Sequence, residues 1–528
     1  MRMDKQTKYI FVTGGVASGL GKGITAASMG RLLKARGYKV ANQKFDPYIN
    51  IDPSLMSPIQ HGEIFVTDDG AECDADVGHY ERFTDESLTA NSNITSGKIY
   101  QMVMQRERDG YYGGKTVQVV PHITDYIKTL TKNVAKERTP QPDVVITEIG
   151  GTAGDIESLP FMEAIRQMAF DVGRENVLYI HVTLLPYLEK GGEIKTKPTQ
   201  HSVKTLLSLG IQPDIIVCRT SLSLDNDIRD KLSLFCNVAR EAIIQNIDCD
   251  TIYEVPLLLE EENFAKVALT KLGLADKTPD LTDWKAMVEA GKNANEAVKI
   301  SIVGKYTILP DAYLSLIEAL KAASFAASSK VDINWVAAEQ IEKGEFDLLK
   351  DSQGIIIANG FGERGSEGKI LTAKFARENN IPCLGIGMGM QAMAIDFARH
   401  VMGLGDANSA EFNETTAHPI FFNPGTGLRK GAYDCTVAEG SLAHKIYGKA
   451  EISERHRHRY ELDTDFVDKF EAAGMKISGR GASGQAEMLE VARHPFYLGV
   501  LFAPQFKSRP NRPHPIFAEF LAAAKDRL

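Results

Sequence analysis

The feature that most constrains this chain is an alternation, repeated twice, of short β-branched runs with helical stretches. The first series reads YIFVT, ITAASMGRLLKARG and KVANQKF, and later DVVITEI, ENVLYIHVTLL and PDIIVCR. Strands that alternate with helices pair in parallel and are covered on both faces, so the pattern predicts a mostly parallel sheet between helices. After Leu272 comes GLADKTPDLTDWKAMVEAGKNANEAV, polar, interrupted by Pro279 and poor in apolar residues at sheet spacing. This predicts a linker. A second series follows: KISIVGKY, a helix from about 312 to 327, SQGIIIANGFGERG, a helix near 369–379, and PCLGIGMGMQAMAIDFARHVMG. The expected architecture is α/β with two tandem domains, residues 1–272 and 298–528, joined by a linker at 273–297.

At ~150 residues per domain, 528 residues leave room for two large units and exclude a single small module. Hydrophobic residues at 43% and charged residues at 24% exclude global disorder. The net charge of −9 lacks the basic excess of a nucleic-acid coat, so no nucleic-acid partner is expected, although local cationic pockets for phosphorylated small molecules remain open. No stretch reaches the ~18 to 20 apolar residues that span a bilayer. The start, MRMDKQTKYIFVTGG, lacks a signal-peptide core, so a soluble cytoplasmic protein with no membrane partner is expected. Cys73, Cys218, Cys236, Cys249, Cys383 and Cys435 show no CxxC spacing, which argues for buried free thiols and against a disulfide framework or zinc site.

Gly14, Gly15, Gly19, Gly21 and Gly23 lie between the first predicted strand and helix, with Lys22 among them. Glycines let backbone N–H groups close round phosphate oxygens, and a helix N-terminus adds partial positive charge. The spacing departs from GxxxxGK[ST]: Val16 and Gly23 stand where a glycine and a hydroxyl belong, and Thr25 is the hydroxyl on offer. Phosphate binding and a structural glycine turn both fit this spacing.

Further on, Lys44 nears the end of the second strand, and TDDGAECDADVGHYERF gathers Asp68, Asp69, Glu72, Asp74 and Asp76. Carboxylates this dense are either solvated or meet a cation, for which Mg²⁺ carried by a nucleotide is the usual candidate. Glu148 ends the strand DVVITEI at the carboxyl edge of the sheet, where α/β proteins bind ligands. KTKPTQHS contributes Lys195, Lys197 and Gln200, suited to a polyphosphate or to an exposed basic loop alike. The cluster ERHRHRYE at 454–461 reads as a solvated turn, with an anion pocket as the alternative.

Taken together, FVTGGVASGLGKG, KFDPYINID, MSPIQHGEIFVTDDGAECDADVGHYERF, GKIYQ, KTVQVVPHITD, TEIGGTAGDIES, KTKPTQHSVK and LFCNV resemble the cytidine triphosphate synthase family across residues 8 to about 270. The resemblance implies a P-loop-like, dethiobiotin-synthetase-like N-terminal domain that phosphorylates UTP at C4 with ATP and lets ammonia displace the phosphoryl group. It implies catalytic roles for Lys22 and Lys44, Mg²⁺ ligation by Asp76 and Glu148, and nucleotide contacts from Ser18, Gly19, Leu20, Gly21, Lys22, Gly23 and Thr25. It also implies UTP or product contacts from Asp155, Glu157, Lys195, Lys197, Gln200 and Lys231, and a homotetramer with nucleotide sites formed across subunits. Gly19, Ser54 and Leu55 depart from the family's usual residues without touching the catalytic positions.

Residues 298–528 resemble the class I glutamine amidotransferase domain of the same family, through VGKYTILPDAYLSLIEAL, GFGERGSEGKI, ENNIPCLGIGMGMQ, ERHRHRYE and FKSRPNRPHPIF. Such a domain attacks glutamine with a cysteine at a strand-to-helix elbow, helped by a histidine and a glutamate. Here those positions read Gly387, Ala503 and Gln505, and Ala358-Asn359-Gly360 replaces the usual Pro-Gly-Gly. Cys383, four residues before the elbow in a buried strand, is expected to pack in the core and not to act as a substitute nucleophile. The expected activity is therefore a UTP–ammonia ligase with an inactive glutaminase domain. The alternatives are the same ligase with another amine donor, giving an N4-substituted cytidine nucleotide, or a non-catalytic partner of an active synthase.

Overall fold

A computed structural model describes residues 6–17 and 19–527; Ser18, expected in the phosphate loop, lies outside the described residues. The chain divides into two compact units. One combines the described residues up to Leu55 with Asp76–Lys285, and the other combines Met56–Ala75 with the described residues from Ala286 onward.

The first unit is built on a seven-stranded sheet. Its order is Ile243–Ile247, Ile215–Thr220, Val177–Leu184, Lys8–Gly14, Val144–Ile149, Val40–Asp46 and Asn93–Thr95, and every pairing is parallel. Runs such as YIFV and VVIT are apolar on both faces because helices cover both, and Ile10, Phe11, Val12 and Val144–Ile146 are wholly buried. The strand Lys8–Gly14 sits in the middle, so the loop leaving its carboxyl end opens where the sheet is deepest.

The second unit has a nine-stranded sheet. Lys330–Ala337, Ala297–Gly304, Gly354–Ile357, Cys383–Ile386 and Tyr497–Val500 run parallel, and Ala486–Glu490, Lys476–Gly481, Arg429–Val437 and Glu451–His458 extend it antiparallel. The helices expected from the second series form at Leu314–Ala326 and Ser366–Glu378.

Three expectations need correction. The segment 273–297 is not a bare linker: it holds the helix Thr282–Asn293, and Trp284 packs on Phe83 and Tyr253 with its indole N–H donating to the Tyr253 carbonyl at 2.7 Å. ERHRHRYE is not a solvated turn. Its residues 454–458 end the strand Glu451–His458, where Arg455, His456 and His458 are buried, and Arg459 just beyond is exposed. The acidic run is neither one solvated loop nor gathered at one place: Asp69 is exposed, while the other four carboxylates lie beside separate basic side chains. Asp68 accepts from Arg455 at 2.6 Å, Glu72 from Arg457 and Lys430 at 2.9 and 3.0 Å, and Asp74 lies 3.4 Å from His61. Only Asp76, on the first turn of the helix Ala75–Thr84, belongs to the first unit.

All six cysteines are free thiols. No helix among the described residues is long and apolar enough to cross a membrane.

Candidate active site

The glycine loop connects the strand Lys8–Gly14 to the helix Lys22–Ala35. Gly19 at φ 73° and Gly21 at φ 84° occupy the left-handed region, which glycine enters without the cost a Cβ brings. Lys22 folds back across Gly14, and its Nζ donates to the Gly151 carbonyl at 2.8 Å. A Cβ on Gly14 would stand 2.5 Å from that side chain. Leu20 is buried beneath the loop. The Thr25 hydroxyl donates to the Gly21 carbonyl at 2.9 Å, so it secures the helix start.

Lys44 and Glu148 are register partners on adjacent parallel strands. The Lys44 ammonium pairs with Asp76 and lies 3.7 Å from Asp46. Asp76 in turn presses against the start of the helix Lys22–Ala35, where a Cβ on Gly23 would meet its Oδ1 at 2.4 Å. The Tyr80 hydroxyl donates to Glu148. Burial pushes the Glu148 carboxyl up to about 7, with the Asp76 charge adding to the effect. Burial also pushes Asp76 up, but Lys44, His79 and Lys22 outweigh it and hold that carboxyl below its ordinary value. The structure thus brings Lys44, Asp76 and Glu148 together, with Lys22 within electrostatic reach of both carboxylates. Two carboxylates with hard oxygen donors beside two lysines are a donor set that fits Mg²⁺ carrying a polyphosphate.

The remaining residues are more dispersed. Asp155 caps the turn after the strand Val144–Ile149, accepting from the Thr152 N–H at 3.0 Å, and Glu157 is exposed beside it. Lys195 pairs with Glu193, whose carboxyl also feels Lys231 on the helix Asn226–Cys236. Lys197 is exposed, whereas Gln200 is buried and donates to Thr196 at 3.1 Å. Sequence reasoning passed over Asp46, Tyr80 and Arg219. The Arg219 guanidinium lies 3.4 Å from where a Gly21 Cβ would stand. The available signal was positional, since Asp46 and Arg219 close strands at the carboxyl edge of the sheet.

In the second unit, Gly387 forms the turn between the strand Cys383–Ile386 and the helix Met388–His400, at φ 56° and ψ −110°. Its N–H donates to the Val500 carbonyl at 2.7 Å, and a Cβ there would approach nothing closer than Asn359, at 3.4 Å. The elbow has space for a side chain and none is present. Ala503 is buried, its N–H on the Arg455 carbonyl at 2.7 Å, and Gln505 is buried with no partner for its Oε1. Cys383 is wholly buried, and burial drives its thiol far above the ordinary range. Nearby, His456, His458 and Glu487 bring donor atoms within 4.8 Å of one another. The Arg429 guanidinium already pairs with that carboxylate, and burial pushes His458 down to about 3 and His456 well below its ordinary value.

Comparison with known proteins agrees with this geometry. Residues 8–274 match the family described as CTP synthase N-terminus, and residues 308–523 match glutamine amidotransferase class-I. The chain is 57% identical over 528 residues to a CTP synthase of Ruminiclostridium cellulolyticum, with 98% of each covered. It is 55% identical over 527 residues to that of Moorella thermoacetica, again with 98% of each covered. To that of Methanocaldococcus jannaschii it is 53% identical over 537 residues, covering 98% of this chain and 99% of the other. Matches that run through both halves and leave almost none of either chain uncovered fix membership: this chain belongs to the CTP synthase family.

Proposed function

We propose that this ligase makes CTP from UTP, ATP and ammonia, and that its C-terminal unit does not hydrolyse glutamine. Amination of UTP with ATP as co-substrate follows from the family. Restriction to ammonia rests on one observation, the elbow at Gly387, which keeps a nucleophile's backbone position without a nucleophile. Ala503 cannot act as a base, and the neutral amide of Gln505 cannot orient one.

The uracil C4 oxygen is amide-like and leaves poorly, so transfer of the ATP γ-phosphoryl group to it creates a phosphate leaving group. Ammonia then adds at C4, a proton is lost, and inorganic phosphate departs to give CTP, ADP and phosphate. Lys22 and Lys44 are the groups that neutralise charge on the transferring phosphoryl oxygens, and Asp76 holds the Lys44 ammonium in place. Asp76 and Glu148 would hold Mg²⁺, which supplies Lewis-acid stabilisation of the phosphate oxygens. Asp155, Glu157, Lys195, Lys197, Gln200 and Lys231 are assigned to the uridine nucleotide. A homotetramer with nucleotide sites formed across subunits is carried over from the family.

Phosphate release from ATP and UTP, with ammonium chloride or glutamine as donor and the nucleotide identified by mass, tests the reading. CTP with ammonium alone is the expected result. CTP with glutamine would overturn the inactive-glutaminase assignment, and turnover without CTP would redirect the search to another amine.

A further inference from the structure

His181 is wholly buried in the strand Val177–Leu184, opposite Thr13 on the strand that feeds the glycine loop. Its Nδ1 lies 2.9 Å from the Thr13 hydroxyl, and its Nε2 lies 2.8 Å from the Ser202 hydroxyl. Ser202 sits on the helix Lys197–Ser208, which also carries Lys197 and Gln200. The loop rests directly on this chain of groups: a Cβ on Gly15 would fall 1.6 Å from Ser202 Oγ and 3.2 Å from His181 Nε2. One imidazole is therefore bonded both to the strand presenting the phosphate loop and to the helix presenting residues assigned to the uridine nucleotide.

We infer that His181 is a positioning residue that couples the two nucleotide sites, so that ATP and UTP strengthen each other's binding through the Thr13–His181–Ser202 chain. The inference rests on the assignment of those two segments under the proposed function. Burial, with the Lys22 charge adding to it, holds the ring neutral with its pKa down at about 3. A neutral ring carries one proton, so each nitrogen has a single role and the chain has a direction. In one arrangement Thr13 donates to the Ile180 carbonyl at 3.3 Å, His181 Nδ1–H donates to Thr13, and Ser202 donates to Nε2. In the other, Thr13 donates to Nδ1, Nε2–H donates to Ser202, and the Ser202 hydrogen is released toward Gly15. Whatever fixes the loop thereby selects the bonding of the helix, and the reverse holds equally, as linkage requires.

The test is a binding cycle on the full-length protein with a non-hydrolysable ATP analogue and Mg²⁺, titrated with and without UTP. The wild type is expected to bind the analogue more tightly when UTP is present. Ser202→Ala should lose at least fivefold of that enhancement while its affinity for the analogue alone stays within twofold. Thr13→Val should behave like Ser202→Ala, and Thr13→Ser should retain the coupling. Ser202→Ala removes one hydroxyl without changing the core volume materially, so it tests the idea even where a His181 variant fails to fold. An unchanged enhancement in Ser202→Ala, or wild-type binding of both nucleotides without mutual enhancement, overturns the coupling alone. Failure of the wild type to bind either nucleotide overturns the functional assignment together with it.

Discussion

Lys44 and Glu148 stand opposite one another on neighbouring strands, and Asp76 approaches the lysine from the helix Ala75–Thr84. Two sheet positions and one helix turn, far apart in sequence, thus form one charged centre. Replacing Lys44 or Lys22 by alanine should lower UTP-dependent ATP hydrolysis by about 10²- to 10³-fold, as loss of a preorganised charge at a transferring group does. Steady-state phosphate release measures this, and a Lys44→Ala enzyme within threefold of wild type would remove that residue from the reaction.

Gly23 offers a second route to the same centre. In Gly23→Ala the new methyl group competes with Asp76 Oδ1 for one position, 2.4 Å away. The expected outcome is a loss of at least tenfold in turnover with circular dichroism unchanged, because the carboxylate that holds Lys44 must move.

On the proposed reading, a thiol alone should not give the elbow glutaminase activity. Gly387→Cys places a nucleophile on an elbow with open space, where it should react with a thiol-directed reagent yet hydrolyse no glutamine. Gly387→Cys combined with Ala503→His and Gln505→Glu should produce glutamate that a coupled assay detects. Hydrolysis by the single variant would show that another base already serves the elbow.

The buried imidazole of His458 should make the second unit acid-sensitive. Burial lowers its pKa to about 3, against about 6.5 in the unfolded chain. A base with a depressed folded pKa contributes stability above its unfolded value and loses it as pH falls toward the folded one. Between pH 7 and 5 this group alone costs on the order of 2 kcal/mol. Denaturant titrations at the two pH values should show a smaller loss for His458→Gln than for wild type, and equal losses would contradict the assignment.

Arg455 is fully buried and reaches Asp68, the Val66 carbonyl and the face of Phe65. Arg455→Ala should destabilise the second unit by about 3–5 kcal/mol, the usual range for emptying the place of a large, fully buried side chain. Asp68→Asn keeps an acceptor for the guanidinium but removes the charge that compensates it where Arg455 is fully buried, so it should cost stability as well. Thermal unfolding would rank the two.

Much of this was readable from the chain alone, because alternation of strand and helix is a local property. The glycine loop, Lys44 and Glu148 announced themselves by their place at strand ends. What local pattern could not show was long-range pairing. Asp68 and Arg455 are 387 residues apart, so the acidic run read as either solvated or cation-binding and the arginine cluster as a surface turn. The helix at Thr282–Asn293 escaped for a different reason: it buries Trp284, Met287 and Val288 at i, i+3, i+4 spacing, but so short an apolar stripe behind Pro279 and among polar residues read as a linker. His181 was hidden inside an apolar run, and nothing about a histidine there distinguishes it until Thr13 and Ser202 are brought to its two nitrogens.

The backbone at 387 carries a further meaning. At φ 56° and ψ −110° any residue with a side chain sits under steric strain of about 1–3 kcal/mol, which glycine escapes. An elbow that holds a reactive cysteine is a stressed joint, maintained by the packing around it. With glycine in that place the stress is gone while the packing remains, so this joint is more relaxed than one that bears a side chain.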